Sequence, residues 1–505
     1  PFGLPLVQAK SHVLLHAMHG LSAAEQKALH TIAAFRMAAQ YDTLRALLCG
    51  DNKPCADEEA LDTLLNELED RGLIGWDRRA NRYDLHPVVR GVVWSGVSET
   101  GKKEAYTALQ GYFDAAPKVK NDDINKLEDL TSAIELYSAL IGLGRFDDAH
   151  AIFADWLVSP LLYRLGANRQ MSELLEYFFL HDLEVSPKLS TDRSKSFIFC
   201  SMALAYHNCG EPGKSSLYYE KASEIDKNDQ KNLAIDLFNL ADALRLAGCL
   251  QKSTAAVRRA LEISQEEKNR FQEAVSLQAL GLALAAAGQK EDSKKSLEQS
   301  RQILIEENNF QGEGYHTIGL AQHALWLITP ADAKTFADRA WELAHIQRYE
   351  ADFIRAACRQ GQAMLDLGNL DTADERLHHA LTRARAINYV EEELPALTAL
   401  AELRRRQGQP EEARQLLDDV WEAAERGPYP LFHADACNVL CQLERDAGNT
   451  EKAIAAATHA YRLAWCDGPP WAYHYGLENA KRHLKELGVK EPEMPKSPLE
   501  EGAGG

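Results

Sequence analysis

Glycines recur through the second half of this chain at a fixed interval. Gly248, Gly288, Gly368, Gly408 and Gly448 lie forty residues apart or a multiple of it, with Gly210 and Gly144 upstream. The slot at 328 holds Ile328, followed by Thr329-Pro330. A period of this length marks a stacked repeat, in which each supersecondary unit buries its faces on its neighbours. At 505 residues the chain exceeds what one compact core holds, whereas a solenoid runs to this length.

The residues around each glycine define the unit. Leu237, Leu240, Ala241 and Leu244 precede Gly248; Ser253, Val257 and Ala260 follow it. Around Gly288 the same slots hold Leu280, Gly281, Leu284, Ser293, Leu297 and Ser300, and around Gly210 they hold Met202, Ala203, Tyr206, Ser215, Tyr219 and Ala222. Apolar positions at i, i+3, i+4 and i+7 on both sides predict two helices, with the glycine ending the first in a left-handed turn. The pattern resembles the tetratricopeptide repeat in a longer, forty-residue form, over residues 191–465 in about seven units. The unit on Ile328 keeps Leu320, Ala321, Ala333, Ala337 and Ala340 but lacks the glycine, and Pro330 is expected to begin its second helix. The expected fold class is mostly α: a superhelix of helical hairpins behind a small N-terminal winged-helix domain.

Residues 21–95 follow another plan. Ser22 and Glu25 form a capping box before a helix through Leu29, Ile32 and Phe35; a second helix is expected near 41–48; a third carries Leu61, Leu64, Leu65 and Leu68 and stops at Arg71-Gly72. Two short strands, 73–76 and 82–85, flank the polar turn 77–81. Three helices and a two-stranded wing describe a winged helix. Its third helix carries Glu58, Glu59, Asp62, Glu67, Glu69 and Asp70, which phosphate would repel, so nucleic acid is not the expected partner.

The run from Leu73 to Val93, with Tyr83-Asp84-Leu85-His86-Pro87-Val88-Val89-Arg90, resembles the winged-helix domain of STAND-class (NB-ARC-like) signalling NTPases, where this domain lies between a nucleotide-binding domain and a repeat sensor. Residues 1–20, with Pro1-Phe2-Gly3-Leu4-Pro5-Leu6, resemble the end of that family's ATPase lid. The family's Met-His-Asp motif falls on Leu85-His86-Pro87, which implies that His86 faces the β-phosphate of bound ADP. Pro87 departs from the motif, and a second reading has His86 capping the following helix. The resemblance implies a sensor that binds a protein or peptide, a nucleotide-binding domain in a longer parent chain that takes ADP or ATP, and oligomerisation on activation. A start at Pro1 fits a piece of a longer protein, or a processed or engineered start.

Residues 96–190 read as a helical connector with degenerate repeats, 466–490 as a capping helix, and 491–505 as a disordered tail. No apolar run approaches twenty residues, so no membrane span is expected. Nine scattered cysteines suit a reducing cytoplasm, and a net charge of −19, from 75 acidic and 56 basic residues, opposes a surface that wraps nucleic acid.

In such solenoids the first helix of each unit lines the inner groove. That register nominates Phe238, Asp242 and Arg245; Gln278; Tyr315, Gln322 and Trp326; Arg355, Arg359 and Gln362; Thr398, Glu402 and Arg405; and Asn438, Gln442 and Arg445. Arginines among amides suggest a basic stripe suited to an acidic peptide or a carboxylate. Gly210-Glu211-Pro212-Gly213-Lys214-Ser215 imitates a phosphate loop but is two residues short and follows a helix. His433, Cys437 and Cys441 lie at i, i+4, i+8, yet both cysteines occupy the repeat's own core slots, so no metal is expected. Neither catalysis nor a cofactor held by this chain is expected. The alternatives are a stand-alone repeat scaffold and a DNA-binding regulator acting through Arg78 and Arg79.

Overall fold

The computed structural model describes residues 17–179 and 186–495. The lid-like run at 1–6 and residues 496–505 of the expected tail lie outside them; the tail's first residues, expected to be disordered, are held instead, with the Tyr461 hydroxyl donating to Glu491 at 2.9 Å and Met494 packed on the core. The chain divides into two compact units, 1–160 and 161–505, so the connector 96–190 is shared between them.

In the first unit, Ser22 caps α1 (Ala23–Ala34), with Glu25 completing the capping box. β1 (Ala39–Gln40), α2 (Tyr41–Leu48), α3 (Glu58–Asp70), β2 (Gly75–Asp77), β3 (Arg82–Asp84), α4 (Pro87–Gly96) and α5 (Glu99–Ala115) follow. The strands form an antiparallel sheet in the order β1-β3-β2, one short strand more than the sequence pattern indicated. Leu61, Leu64, Leu65 and Leu68 are buried on α3, and its acidic face stays outside. Arg90 fastens the unit: it donates to the carbonyls of Ile32, Ala33 and Phe35 at the end of α1 and pairs with Asp84. A hairpin, α6 (Thr131–Gly142) and α7 (Phe146–Ile152), turns at Gly144.

The second unit opens with α8 (Asn168–Leu175), followed by seven helical hairpins. These are α9 (Asp192–Asn208) with α10 (Pro212–Ile225), α11 (Gln230–Leu246) with α12 (Leu250–Glu266), α13 (Arg270–Ala286) with α14 (Lys290–Glu306), and α15 (Phe310–Leu327) with α16 (Pro330–Gln347). Then come α17 (Glu350–Asp366) with α18 (Leu370–Ala386), α19 (Val390–Arg406) with α20 (Pro410–Arg426), and α21 (Pro430–Asp446) with α22 (Thr450–Trp465). α23 (His474–Glu486) closes the stack against α21 and α22. From α11 onward the first helices of successive units touch one another and form the inner wall.

Each ladder glycine ends a first helix with positive φ. At Gly248 (φ +79°) its own N–H reaches Arg245 O and the next, of Cys249, reaches Leu244 O. At the gap, α15 ends instead because Thr329 caps α16 through Asp332 N and Pro330 takes the first helical position. A second ladder ends the second helices: Lys268, Asn308, Arg348 and Asn388 all lie in the left-handed region.

The solenoid coils tightly enough to meet itself. A Cβ built on Gly210 would come within 2.8 Å of Val390, one on Gly248 within 2.6 Å of Pro430, and one on Gly288 within 2.5 Å of His474. Each pair is 180 to 186 residues apart, about four and a half repeats. Gln251 N donates to Asp467 across the same seam. By contrast, a Cβ built on Gly368, Gly408 or Gly448 would meet nothing within 4 Å among the described residues.

Candidate functional site

The inner wall carries two polar groups of different character. The first is interior to the coil. His207 on α9 lies 3.3 Å from Glu391 of α19 and 3.6 Å from Asp242 of α11. Arg245 pairs with Asp242 at 2.6 Å and reaches Glu391 at 3.8 Å. Arg355 stacks over Tyr315 and Tyr389, 4.8 and 5.2 Å from the ring centres, and pairs with Asp352. Arg359 donates to Glu392 at 2.9 Å and to Gln362 at 3.0 Å. Burial alone would push the Glu391 carboxyl up; His207, Arg355 and Arg245 outweigh it and hold the group ionised.

The second group lines a cleft of about 410 Å³ between α15, α17, α19, α21 and α23. Successive inner helices supply Gln322, Gln362, Thr398, Asn438 with Gln442, and Asn479. Trp326, Phe432 and Tyr475 give it aromatic surface, and Tyr473 packs edge-on to Trp326. Asn438 Nδ2 donates to Gly476 O, which fixes the side chain while its carbonyl oxygen is buried without a partner. Arg406 holds the Glu402 carboxylate and the Leu365 carbonyl. Burial pushes the Glu402 carboxyl up, but hydrogen bonds from Arg405 and Arg406 outweigh it and hold it below the usual range. Desolvation drives Asp435 up to about 7, against the Tyr473 hydroxyl that donates to it at 2.8 Å. Burial lowers His483 to about 4, so its ring is neutral at pH 7. Arg482 donates to Asn479 at 2.8 Å.

The sequence register nominated one groove; the structure separates its members. Gln322, Trp326, Gln362, Thr398, Glu402, Asn438 and Gln442 meet in the cleft. Asp242, Arg245, Tyr315, Arg355 and Arg359 belong to the interior network. Gln278 is buried and donates to Tyr315 O, and Phe238 packs on Ala241, Val257 and Leu280. Arg405 pairs with Glu402 and Asp446, and Arg445 with Glu486. The basic stripe is therefore replaced by a set of ion pairs: each of these five arginines has a carboxylate partner, several of them one repeat away. Missed members are Asp366, Arg406, Phe432, Asp435, Tyr475, Asn479, Arg482 and His483. Tyr475 and Asn479 carried a signal, because they stand forty and forty-one residues after Asp435 and Asn438. The cap helix thus continues the inner register.

Two other motifs resolve simply. In the loop-like run at 210–215, Lys214 pairs with Glu211 and lies over the Tyr206 ring, Ser215 is buried, and Gly210 faces Val390. His86 caps α4, its Nδ1 accepting from Val88 N at 3.3 Å, with Pro87 in the first helical position.

Residues 198–229 and 233–306 match two family models described as tetratricopeptide repeat. Those residues carry tetratricopeptide repeats. No curated protein matches the sequence. Among solved structures, a Signal Transduction ATPase with Numerous Domains (STAND) protein with a tetratricopeptide repeat sensor, from Pyrococcus horikoshii, is 15% identical, with a TM-score of 0.41 over 95% of this chain and 68% of that one. A Rap protein complexed with competence and sporulation factor is 15% identical, with a TM-score of 0.44 over 65% and 98%. Aspartyl phosphate phosphatase F from Bacillus subtilis is 14% identical, with a TM-score of 0.41 over 79% and 97%. Among the described residues no helix is long and apolar enough to cross a membrane.

Proposed function

We propose that the tetratricopeptide unit binds an extended peptide, or an extended segment of a protein, in the cleft between α15 and α23. One observation carries this reading: amide side chains from four of the five inner helices, with Thr398 on the fifth, project into one cleft beside Trp326, Phe432 and Tyr475. An amide offers a donor and an acceptor at once, which matches the N–H and C=O of a peptide backbone whatever its sequence. The aromatic surface takes side chains on alternate residues. This differs from recognition by a basic stripe, since the arginines are already paired. The arrangement binds; nothing in it pairs a nucleophile with a base.

The same reading makes the chain the sensor region of a STAND-type signal-transduction ATPase. It is supported by the run Tyr83 to Arg90 and the position of His86 before α4. ADP or ATP then belongs to a nucleotide-binding domain of a longer parent chain, His86 faces that domain, and ligand binding favours an oligomerising state by differential affinity.

The test is selection of random displayed peptides on the full chain, followed by backbone N-methylation of a selected peptide, one residue at a time. The expected result is that methylation weakens binding at several positions, each at least fivefold, while most side-chain changes have smaller effects. Failure to select any peptide, or binding that is indifferent to every methylation, overturns the proposal.

A further inference from the structure

We propose that His433, Cys437 and His459 form a site for a divalent transition metal, with zinc the best match, and with a fourth position open to water. His433 and Cys437 lie one turn apart on the same face of α21; His459 comes from the facing helix α22 of the same repeat. Their ligand atoms all fall within 4.8 Å of one another, with Cys437 Sγ and His459 Nδ1 at 3.8 Å. Zinc bonds of 2.0–2.3 Å in tetrahedral geometry set ligand atoms about 3.5 Å apart, so small side-chain rotations close the set. Two imidazoles and a thiolate are the donors that zinc prefers, and three protein ligands leave the fourth position free.

The surroundings suit access. His433 and Cys437 are buried, while His459 is exposed, giving an ion a route in from solvent. Thiolate and metal together leave a charge of +1. Binding displaces the thiol proton to solvent as the metal–sulfur bond forms. The third donor in sequence, Cys441, does not take part; it packs in the core with Ala453 and Ala457.

A second cluster of possible ligands, His207, Asp242 and Glu391, is already served by the Arg245 guanidinium and is not a metal site. The α21–α22 site has a structural consequence. α21 supplies Phe432, Asp435, Asn438 and Gln442 to the cleft, so a metal tying α21 to α22 would fix one wall of it.

The experiment uses the full chain, freed of metal by a chelator, and titrates it with Co²⁺ as a spectroscopic stand-in for zinc. The expected result is one equivalent per chain, a thiolate-to-cobalt charge-transfer band, and loss of that band on adding Zn²⁺. Cys437→Ala should abolish the band, and His459→Ala should weaken binding at least tenfold with the helical circular dichroism unchanged. Because His459 is exposed, its variant keeps the test valid if Cys437→Ala misfolds. Absence of the band at stoichiometric cobalt, or a band of equal affinity in His459→Ala, overturns the proposal.

Discussion

Gly248 stands so close to Pro430 that a Cβ on it would come within 2.6 Å of the proline Cγ, although 182 residues of chain, about four and a half repeats, separate the two. Gly408 has the same place in its own repeat and a similar φ, +73° against +79°, yet faces open space. Backbone strain is thus common to both positions, and contact across the coil belongs to one. Asparagine tolerates positive φ better than most residues, so it separates the two effects. Gly408→Asn is expected to cost about 1 kcal/mol or less, and Gly248→Asn at least about 1–3 kcal/mol more, from overpacking. Urea denaturation of both variants measures the difference; equal losses would mean that the coil does not close at this seam.

Glu391 gathers His207, Arg245 and the neighbouring Arg355 into one interior cluster. Its removal leaves Asp242 and Asp352 as the carboxylates facing His207, Arg245 and Arg355 in this buried cluster. Glu391→Ala is expected to destabilise the repeat unit by about 3–5 kcal/mol, far more than loss of an exposed pair such as Arg259–Glu262. Chemical denaturation of Glu391→Ala and Glu262→Ala checks this, and comparable losses would contradict it.

Asp435 gives the cleft a pH dependence whose sign can be worked out. Its folded pKa, about 7, lies above the ordinary carboxylate value, so folding favours the protonated form. The stabilisation linked to this proton is complete below about pH 4 and is lost as pH rises through about 7. Stability of the repeat unit should therefore fall from about pH 4 to about pH 7 and level off above it, and Asp435→Asn should flatten that slope. Melting temperatures at several pH values decide it; an Asp435→Asn profile parallel to wild type would refute the assignment.

Arg90 draws three carbonyls at the end of α1 and the Asp84 carboxylate onto one guanidinium. Lysine offers charge but not a planar fork. Arg90→Lys should lose most of the stability that Arg90→Ala loses, about 1–3 kcal/mol, in the first unit. Full rescue by lysine, read from thermal denaturation, would show that charge alone matters there.

The repeats were legible in sequence because their determinants are local. Gly281 must be small where Leu297 crosses it, and Gly288 must take a left-handed turn, so the period is written into each unit. Coil closure was not legible. Nothing local distinguishes Gly210, packed on Val390, from Gly448, which faces open space. The arginine stripe misled for a related reason. Arg359 and Arg405 find Glu392 and Asp446 in the following repeat, so the charge of a groove position cannot be judged within its own unit. The left-handed ladder at Lys268, Asn308, Arg348 and Asn388 was hidden because only two of its four members are asparagine. In the first unit, the capping box and the leucine stripe of α3 were readable, whereas the pairing of Ala39–Gln40 with β3 has too few residues to leave a pattern.

The central claim is that amides in the cleft read a peptide backbone. Its most direct measurement is the affinity of one selected peptide for wild type, Gln362→Ala, Gln442→Ala and Asn479→Ala, against the outer-helix controls Arg258→Glu and Lys295→Glu. Each lost amide is expected to weaken binding by about 1 kcal/mol, or roughly five- to tenfold, and the controls by less than about twofold. Unchanged affinity in all three amide variants, with a loss in either control, would place the ligand on the outer face and contradict the account.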